Sequence, residues 1–182
     1  LRLLQDINFV DVSSNAARGV YRRLEERPSP HNLVSDTKSL RAVGADRSQG
    51  GTPPILFERN DGGNQTQVSG ISVKGADLDY GSTLVQYRWD QNRLGWLRSQ
   101  NGSPHSDVDG LQIAPEVVVI QIVSYTRSAA DGRSPEAVLV GTGRALLLFD
   151  GRLIEGTWER SGAFDVTRYF DRDGNAVLFP RG

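Results

Sequence analysis

The sequence predicts an α+β chain: a predominantly antiparallel β-sheet with a small helical N-terminal segment. Three observations predict it. From residue 55 onward, short runs rich in Val, Ile, Leu and aromatics alternate with Gly, Asp and Pro turn signals. Asp150-Gly151 sits between Leu-Leu-Leu-Phe and Arg-Leu-Ile-Glu-Gly-Thr-Trp, and a type I′ hairpin turn needs two residues that tolerate positive φ. Helical spacing of apolar residues is confined to the first 45 positions.

The N-terminal elements come first. Ser13, Ser14 and Asn15 offer N-cap chemistry before Ala17, Val20, Tyr21 and Leu24, which fall at i, i+3, i+4 and i+7. That stripe ends at Pro28, which removes a donor and clashes with the preceding turn. A second short helix is expected from Ser35 or Asp36, burying Leu40 and Val43 and stopping at Gly44. Between the two, Pro28-Ser29-Pro30-His31 is expected to be extended, because residues before proline avoid the α region. Residues 1–45 therefore form the helical piece. Residues 46–54, within the aperiodic Gly-Ala-Asp-Arg-Ser-Gln-Gly-Gly-Thr-Pro-Pro run, form a linker, and residues 55–182 the β-rich domain.

Strands are expected at Gln67–Val73, Thr83–Asp90, Arg93–Ser99, Glu116–Tyr125, Ala137–Gly141, Ala145–Phe149, Arg152–Trp158, Val166–Phe170 and Ala176–Phe179. The run that begins Glu116-Val-Val-Val-Ile is nearly all apolar, as suits a strand covered on both faces. Asp173-Gly174 marks a second, looser hairpin, and Gly141-Thr142-Gly143 reads as a turn. A two-residue loop at Gln91-Asn92 would set Trp89 opposite Leu94, Tyr87 opposite Trp96 and Val85 opposite Arg98. All six would share one face. Core packing is the first reading of that face, since aromatics bury large areas; the functional alternative is a stacking platform with Arg98 as its polar clamp.

Composition excludes several classes. The formal net charge is −1, with basic residues spread along the chain, so the electrostatic footprint of a nucleic-acid binder is missing. Absence of cysteine removes disulfides, thiolate metal sites and cysteine nucleophiles. No run of about 18 apolar residues occurs. The chain opens at Leu1 without the basic and apolar regions of a signal peptide, and we read it as a mature piece or fragment. No phosphate-binding glycine loop, G-x-S-x-G elbow or H-E-x-x-H pair is present, and no cofactor is expected.

The candidate site follows from the two histidines. His31 and His105 each follow Ser-Pro, and histidine is the side chain that titrates near neutral pH. Asp107 and Asp109 stand beside His105, on one face if the segment is extended. A carboxylate next to an imidazole would raise its pKa and hold its tautomer, as an acid–base site requires. His105-x-Asp107-x-Asp109-Gly110 followed by Glu116 matches calcium-loop spacing, yet imidazole is a poor calcium ligand and no helices are expected to flank it. Two histidines without cysteine form a thin set for a transition metal, and no metal is assigned. The structural alternative is an Asx-type turn whose aspartates bond backbone amides. His31 and Asn32 have a similar alternative, as a joint beside the helical part. The candidate binding residues are Arg98, His105, Asp107 and Asp109, with His31 and Asn32 at the edge.

Several of these residues carry a resemblance. Arg27-Pro28-Ser29-Pro30-His31-Asn32-Leu33 resembles the R-x-x-P-H-N-L stretch that closes the first domain of the YerB-like lipoproteins, a bacterial domain-of-unknown-function family. Tyr87-Arg88-Trp89-Asp90, Leu97-Arg98, Pro104-His105-Ser106-Asp107 and Val117-Val118-Val119 are similar, in order, to features of its second domain. So are Gly141-Thr142-Gly143, Gly156-Thr157-Trp158 and Asp173-Gly174. Glu116 departs from the asparagine expected there. The resemblance implies that residues 1–45 are a remnant of an N-terminal domain. It also implies an envelope protein held to the membrane through a lipid anchor that lies outside this sequence. It lends no established activity. The expected function is an extracytoplasmic, non-catalytic module that binds a cell-wall component or envelope protein. The alternative is a hydrolase or metal-dependent enzyme using His105 with Asp107. Whether the chain is an enzyme is left open, leaning against.

Overall fold

A computed structural model describes residues 10–48, 70–128, 132–163 and 165–179. The chain divides into two compact units, residues 1–54 and 55–182.

In the first unit the expected opening helix is replaced by a single 3-10 turn, Arg18–Val20. The chain then extends as β1 (Arg22–Arg23), which pairs antiparallel with β2 (Leu33–Val34). Tertiary pairing overrides the local period here: Leu24 N–H donates to Asn32 C=O at 2.8 Å, closing a ladder a helix could not make. The Pro28–His31 segment is a turn rather than extended, with a cis Ser29–Pro30 bond and His31 N–H donating to Pro28 C=O at 3.1 Å. The second helix, α1, spans Thr37–Arg47 with Asp36 as its N-cap. Asp36 accepts from Ser39 N–H at 2.8 Å and from the Ser39 hydroxyl at 2.7 Å. It runs three residues past the expected stop at Gly44. Arg47 holds that last turn by donating to the carbonyls of Asp11 (3.0 Å) and Ala16 (2.8 Å). Of the expected linker, residues 49–54 lie outside the described residues, as do residues 67–69 of the first expected strand.

The second unit is built from antiparallel strands. Four of them, β4 (Gly75–Asp79), β5 (Leu84–Asp90), β6 (Gly95–Gln100) and β7 (Ser103–Pro104), form one sheet in that order. The larger sheet has the order β13-β12-β11-β8: Arg168–Asp171, Arg152–Arg160, Gly141–Phe149 and Val117–Gln121. A short β3 (Ile71–Ser72) pairs with the start of β12. Strands β9 (Tyr125–Arg127) and β10 (Pro135–Ala137) make a two-stranded ribbon between β8 and β11. Strands β4 and β7 were not expected: β4 carries Gly75, Asp77 and Asp79, and β7 carries Pro104, residues with poor strand propensity. The single strand expected at Glu116–Tyr125 is divided into β8 and β9. Ala176–Phe179 contributes only an isolated bridge, Phe170 to Ala176.

Register is set by the turns. Asp150 (φ 47°) and Gly151 (φ 69°) both take positive φ, pairing Phe149 with Arg152 as the two-residue hairpin requires. The Gln91-Asn92 hairpin differs from the expected register by two residues. Trp89 pairs with Trp96 and Tyr87 with Arg98, leaving a four-residue loop. Asp90 imposes it, accepting from the N–H groups of Asn92 (2.8 Å) and Arg93 (3.0 Å), while Leu94 turns to φ 48°. A two-residue slip keeps the side-chain parity, so Val85, Tyr87, Trp89, Trp96 and Arg98 still share a face; Leu94 leaves it.

The core lies on both sides of the larger sheet. Ala145, Leu147, Ile154, Trp158, Tyr169 and Val177 form one buried cluster. Trp96, Val118 and Leu148 form the other, with Tyr87 and Trp89 packed against it. The aromatic face is therefore core, where the Trp89 and Trp96 rings meet at 5.0 Å between centroids. Adjacent Val118 and Val119 face opposite clusters, which explains the uninterrupted apolar run in β8. Gly141-Thr142-Gly143 begins β11 instead of forming a turn. A Cβ at Gly143 would sit 2.5 Å from Trp158 Nε1, so the missing side chain gives the indole its place.

Candidate functional site

The histidine loop hangs from the β6 edge. Arg98 N–H donates to Ile113 C=O (2.8 Å), His105 N–H to Arg98 C=O (2.9 Å) and Ile113 N–H to His105 C=O (2.8 Å). The Gln112 side-chain amide also donates to Arg98 C=O, at 2.9 Å. Arg98 is thus a backbone hub, and its side chain leaves the sheet on the aromatic face.

Two predicted residues meet here. The Arg98 guanidinium is hydrogen-bonded to Nδ1 of His105. Guanidinium has donors and no acceptor, so in this contact Arg98 donates and Nδ1 accepts. His105 is exposed. A second contact from Arg98 reaches Gln100 Oε1 at 3.3 Å.

The aspartates do something different. Asp107 Oδ1 accepts from the backbone N–H groups of Asp109 and Leu111, both at 2.9 Å. Its own N–H donates to Leu111 C=O at 2.9 Å, and Gly110 N–H returns to Asp107 C=O at 3.2 Å, with Gly110 at φ 82°. This is an Asx-type turn, so Asp107 shapes the loop. Asp109 is exposed at its tip. Replacing Asp107 with alanine is expected to free two backbone donors and cost about 1 kcal/mol. Amide hydrogen exchange should then accelerate at Asp109 and Leu111 while β5 and β6 stay protected.

The same turn recurs at the other end of the unit. Asp171 Oδ1 accepts from Asp173 N–H (2.9 Å) and Asn175 N–H (2.8 Å), and Gly174 N–H bonds Asp171 C=O at 3.2 Å with φ 84°. The Asn175 amide adds side-chain bonds to Asp171, and together with the backbone donors it holds that carboxyl below its ordinary value. The pattern D-x-D-G was legible twice in the sequence, at Asp107 and Asp171, and the repeat points to turn chemistry in both places. Gln112 carried no signal of that kind. Its role follows from where the loop returns.

His31 and Asn32 belong to the first unit. Asn32 accepts from Arg23 at 2.6 Å and donates to Leu24 C=O at 3.1 Å, clasping the β1–β2 loop. His31 is exposed on that turn. Among the described residues, no group of three or more His, Asp or Glu side chains gathers as a metal site. Among the same residues, no helix is long and apolar enough to cross a membrane.

Comparison with known proteins places these features in a family. Residues 76–182, more than half of the chain, match the protein of unknown function (DUF3048) C-terminal domain. No curated protein matches the chain. The fold is similar to the crystal structure of YerB protein from Bacillus subtilis, with a TM-score of 0.66 and 22% sequence identity. The match covers 88% of this chain and 53% of that protein, so the chain spans about half its length. By sequence over the C-terminal domain, and in keeping with its fold, the chain belongs to the YerB-like family of proteins of unknown function (DUF3048).

Proposed function

We propose that this chain is an extracytoplasmic, non-catalytic binding module of a bacterial envelope lipoprotein, and that it recognises a cell-wall component through the surface around Arg98, His105 and Asp109. One observation carries the binding reading over a catalytic one. The Nδ1 lone pair of His105 is taken by Arg98, and the Oδ1 oxygen of Asp107 is taken by its own loop. Neither of these two atoms is left free to accept a substrate proton, as a general base must. What remains is a half-buried guanidinium beside an exposed imidazole on a rigid edge, its donors beyond those to His105 and Gln100 still open, which suits recognition of carboxylate or sugar oxygens.

Co-sedimentation with purified peptidoglycan sacculi tests the reading. Wild-type chain is expected to pellet with sacculi. Arg98→Ala, a change at a half-buried residue on the sheet edge, should lower retention about tenfold, the scale of losing one charge-assisted hydrogen bond. Failure of the folded wild type to pellet, or equal retention of the variant, would overturn it.

A further inference from the structure

Backbone pairing holds Arg98 and His105 opposite each other. The β6–β7 register, with Ser99 opposite Pro104, continues one residue further, where His105 N–H donates to Arg98 C=O at 2.9 Å. Side chains at directly opposed positions of neighbouring strands stay together, and like charges there repel. With a neutral imidazole the two are complementary, since the guanidinium donates to Nδ1. An imidazolium has no lone pair to offer. Protonation therefore ends the contact and sets two cations against each other across the ladder. Arg98 has an alternative partner at hand, because Gln100 Oε1 already lies 3.3 Å from its other terminal nitrogen.

The surrounding charges leave the sign of this surface to that proton. From the loop come Asp107, whose Oδ1 is bonded into the turn, and Asp109, exposed at the tip. From the β5–β6 turn comes Arg93, which donates to Gln112 C=O at 2.8 Å. From β5 comes Tyr87, opposite Arg98 in the ladder. Ser103 and Pro104 of β7 and the returning residues 111–115 add no charge. Two guanidiniums thus stand beside two carboxylates while His105 is neutral. Carboxylates titrate well below imidazole and phenol well above it. Among these groups only His105 changes charge near neutral pH, and its proton makes the cluster net positive.

We infer that the Arg98–His105 pair is a proton-linked anion site, which holds an anion weakly while the imidazole is neutral and tightly once it is protonated. This is the surface proposed above to bind the wall, and the linkage rests on that reading while fixing the recognised group as an anion. An anion between the two cations relieves their repulsion and accepts charge-assisted hydrogen bonds from both. Binding is therefore strongest below the imidazole range and falls as pH rises through it. By reciprocity, the anion favours proton uptake at His105 to the same extent.

Sulfate is the probe, because its charge does not change across the imidazole range. It is titrated into isotopically labelled chain at constant ionic strength, with amide and histidine-ring NMR signals as the readout. Shifts are expected at Arg98 and His105, with affinity about tenfold higher at about pH 5.5 than at about pH 7.5. Sulfate should also move the ring titration of His105 to higher pH and leave that of His31, in the other unit, in place. His105→Gln keeps an acceptor for Arg98 but cannot take the proton, so it should show the weak neutral-pH affinity at both values. Equal affinity of the wild type at the two pH values, or a pH dependence that survives His105→Gln, would overturn the inference. Sacculus retention at neutral pH reads the binding proposal and the pH dependence of sulfate reads the linkage, so either can fail without the other.

Discussion

Trp96→Ala is expected to lower the stability of the β-rich unit by about 3–5 kcal/mol. Trp96 is fully buried and packs against Val118 and Leu148, the buried side chains by which the larger sheet meets it. Its own backbone N–H donates to Pro115 C=O at 2.9 Å, tying β6 to the segment that leads into β8. Removing the indole leaves a cavity where the two sheets meet, and backbone pairing on both sides limits collapse into it. The indole Nε1 is buried without a hydrogen-bond partner among the described residues. Trp96→Phe, which keeps a ring and discards that N–H, should therefore cost less than half as much. Urea unfolding measures both, through shifts in midpoint at constant slope. Equal losses from Phe and Ala would mean that the N–H is satisfied in solution and that lost packing is the smaller part of the damage.

Gly156→Ala is expected to do comparable damage by the opposite route, overfilling instead of emptying. A Cβ at Gly156 would lie 1.8 Å from the carbonyl oxygen of Phe170 and 2.8 Å from its carbonyl carbon. Those atoms belong to the backbone of β13, which cannot rotate away as a flexible side chain could. Relief requires β13 to move off β12, breaking the ladder that sets Trp158 opposite Tyr169 in the core. The cost should reach the upper end of overpacking penalties, about 3 kcal/mol. Amide exchange is the discriminating measurement: protection should fall at Arg168–Asp171 and persist at Leu146–Leu148 on the far side of β12. Gly110→Ala offers a contrast, since nothing lies within 4 Å of its Cβ and only its positive φ is strained.

The proposed binding role rests on how little of the histidine loop is free for chemistry. Two aspartates next to a histidine form the residue set of an acid–base site. In the folded chain the nearer aspartate closes a turn and the imidazole turns to an arginine seven positions earlier. That partnership needs β6 and the loop to be brought side by side. Sequence adjacency favoured the carboxylates, whereas the sheet edge delivered the guanidinium.

Two helical expectations failed in the same way. The Ala17–Leu24 stripe has helical period, but β2 supplies a paired strand and the backbone takes it. Gly44 carries the signature of a helix stop, but Arg47 finds the carbonyls of Asp11 and Ala16 and the helix continues. Caps and periods are worth about 1 kcal/mol each, so one or two long-range hydrogen bonds can reverse them.

The sequence by itself determined what local physics decides strongly. The Asp150-Gly151 hairpin, the cap at Asp36 and the doubly covered β8 follow from backbone conformations that few residues tolerate, or from an unbroken apolar run. The β-rich class follows from many such signals agreeing. Only the tertiary structure decided the partners: the four-residue loop and register of the β5–β6 hairpin and the Arg98–His105 pair. Each depends on which strands become neighbours, and that is fixed by the summed burial of side chains distant in the chain, a quantity no local window contains.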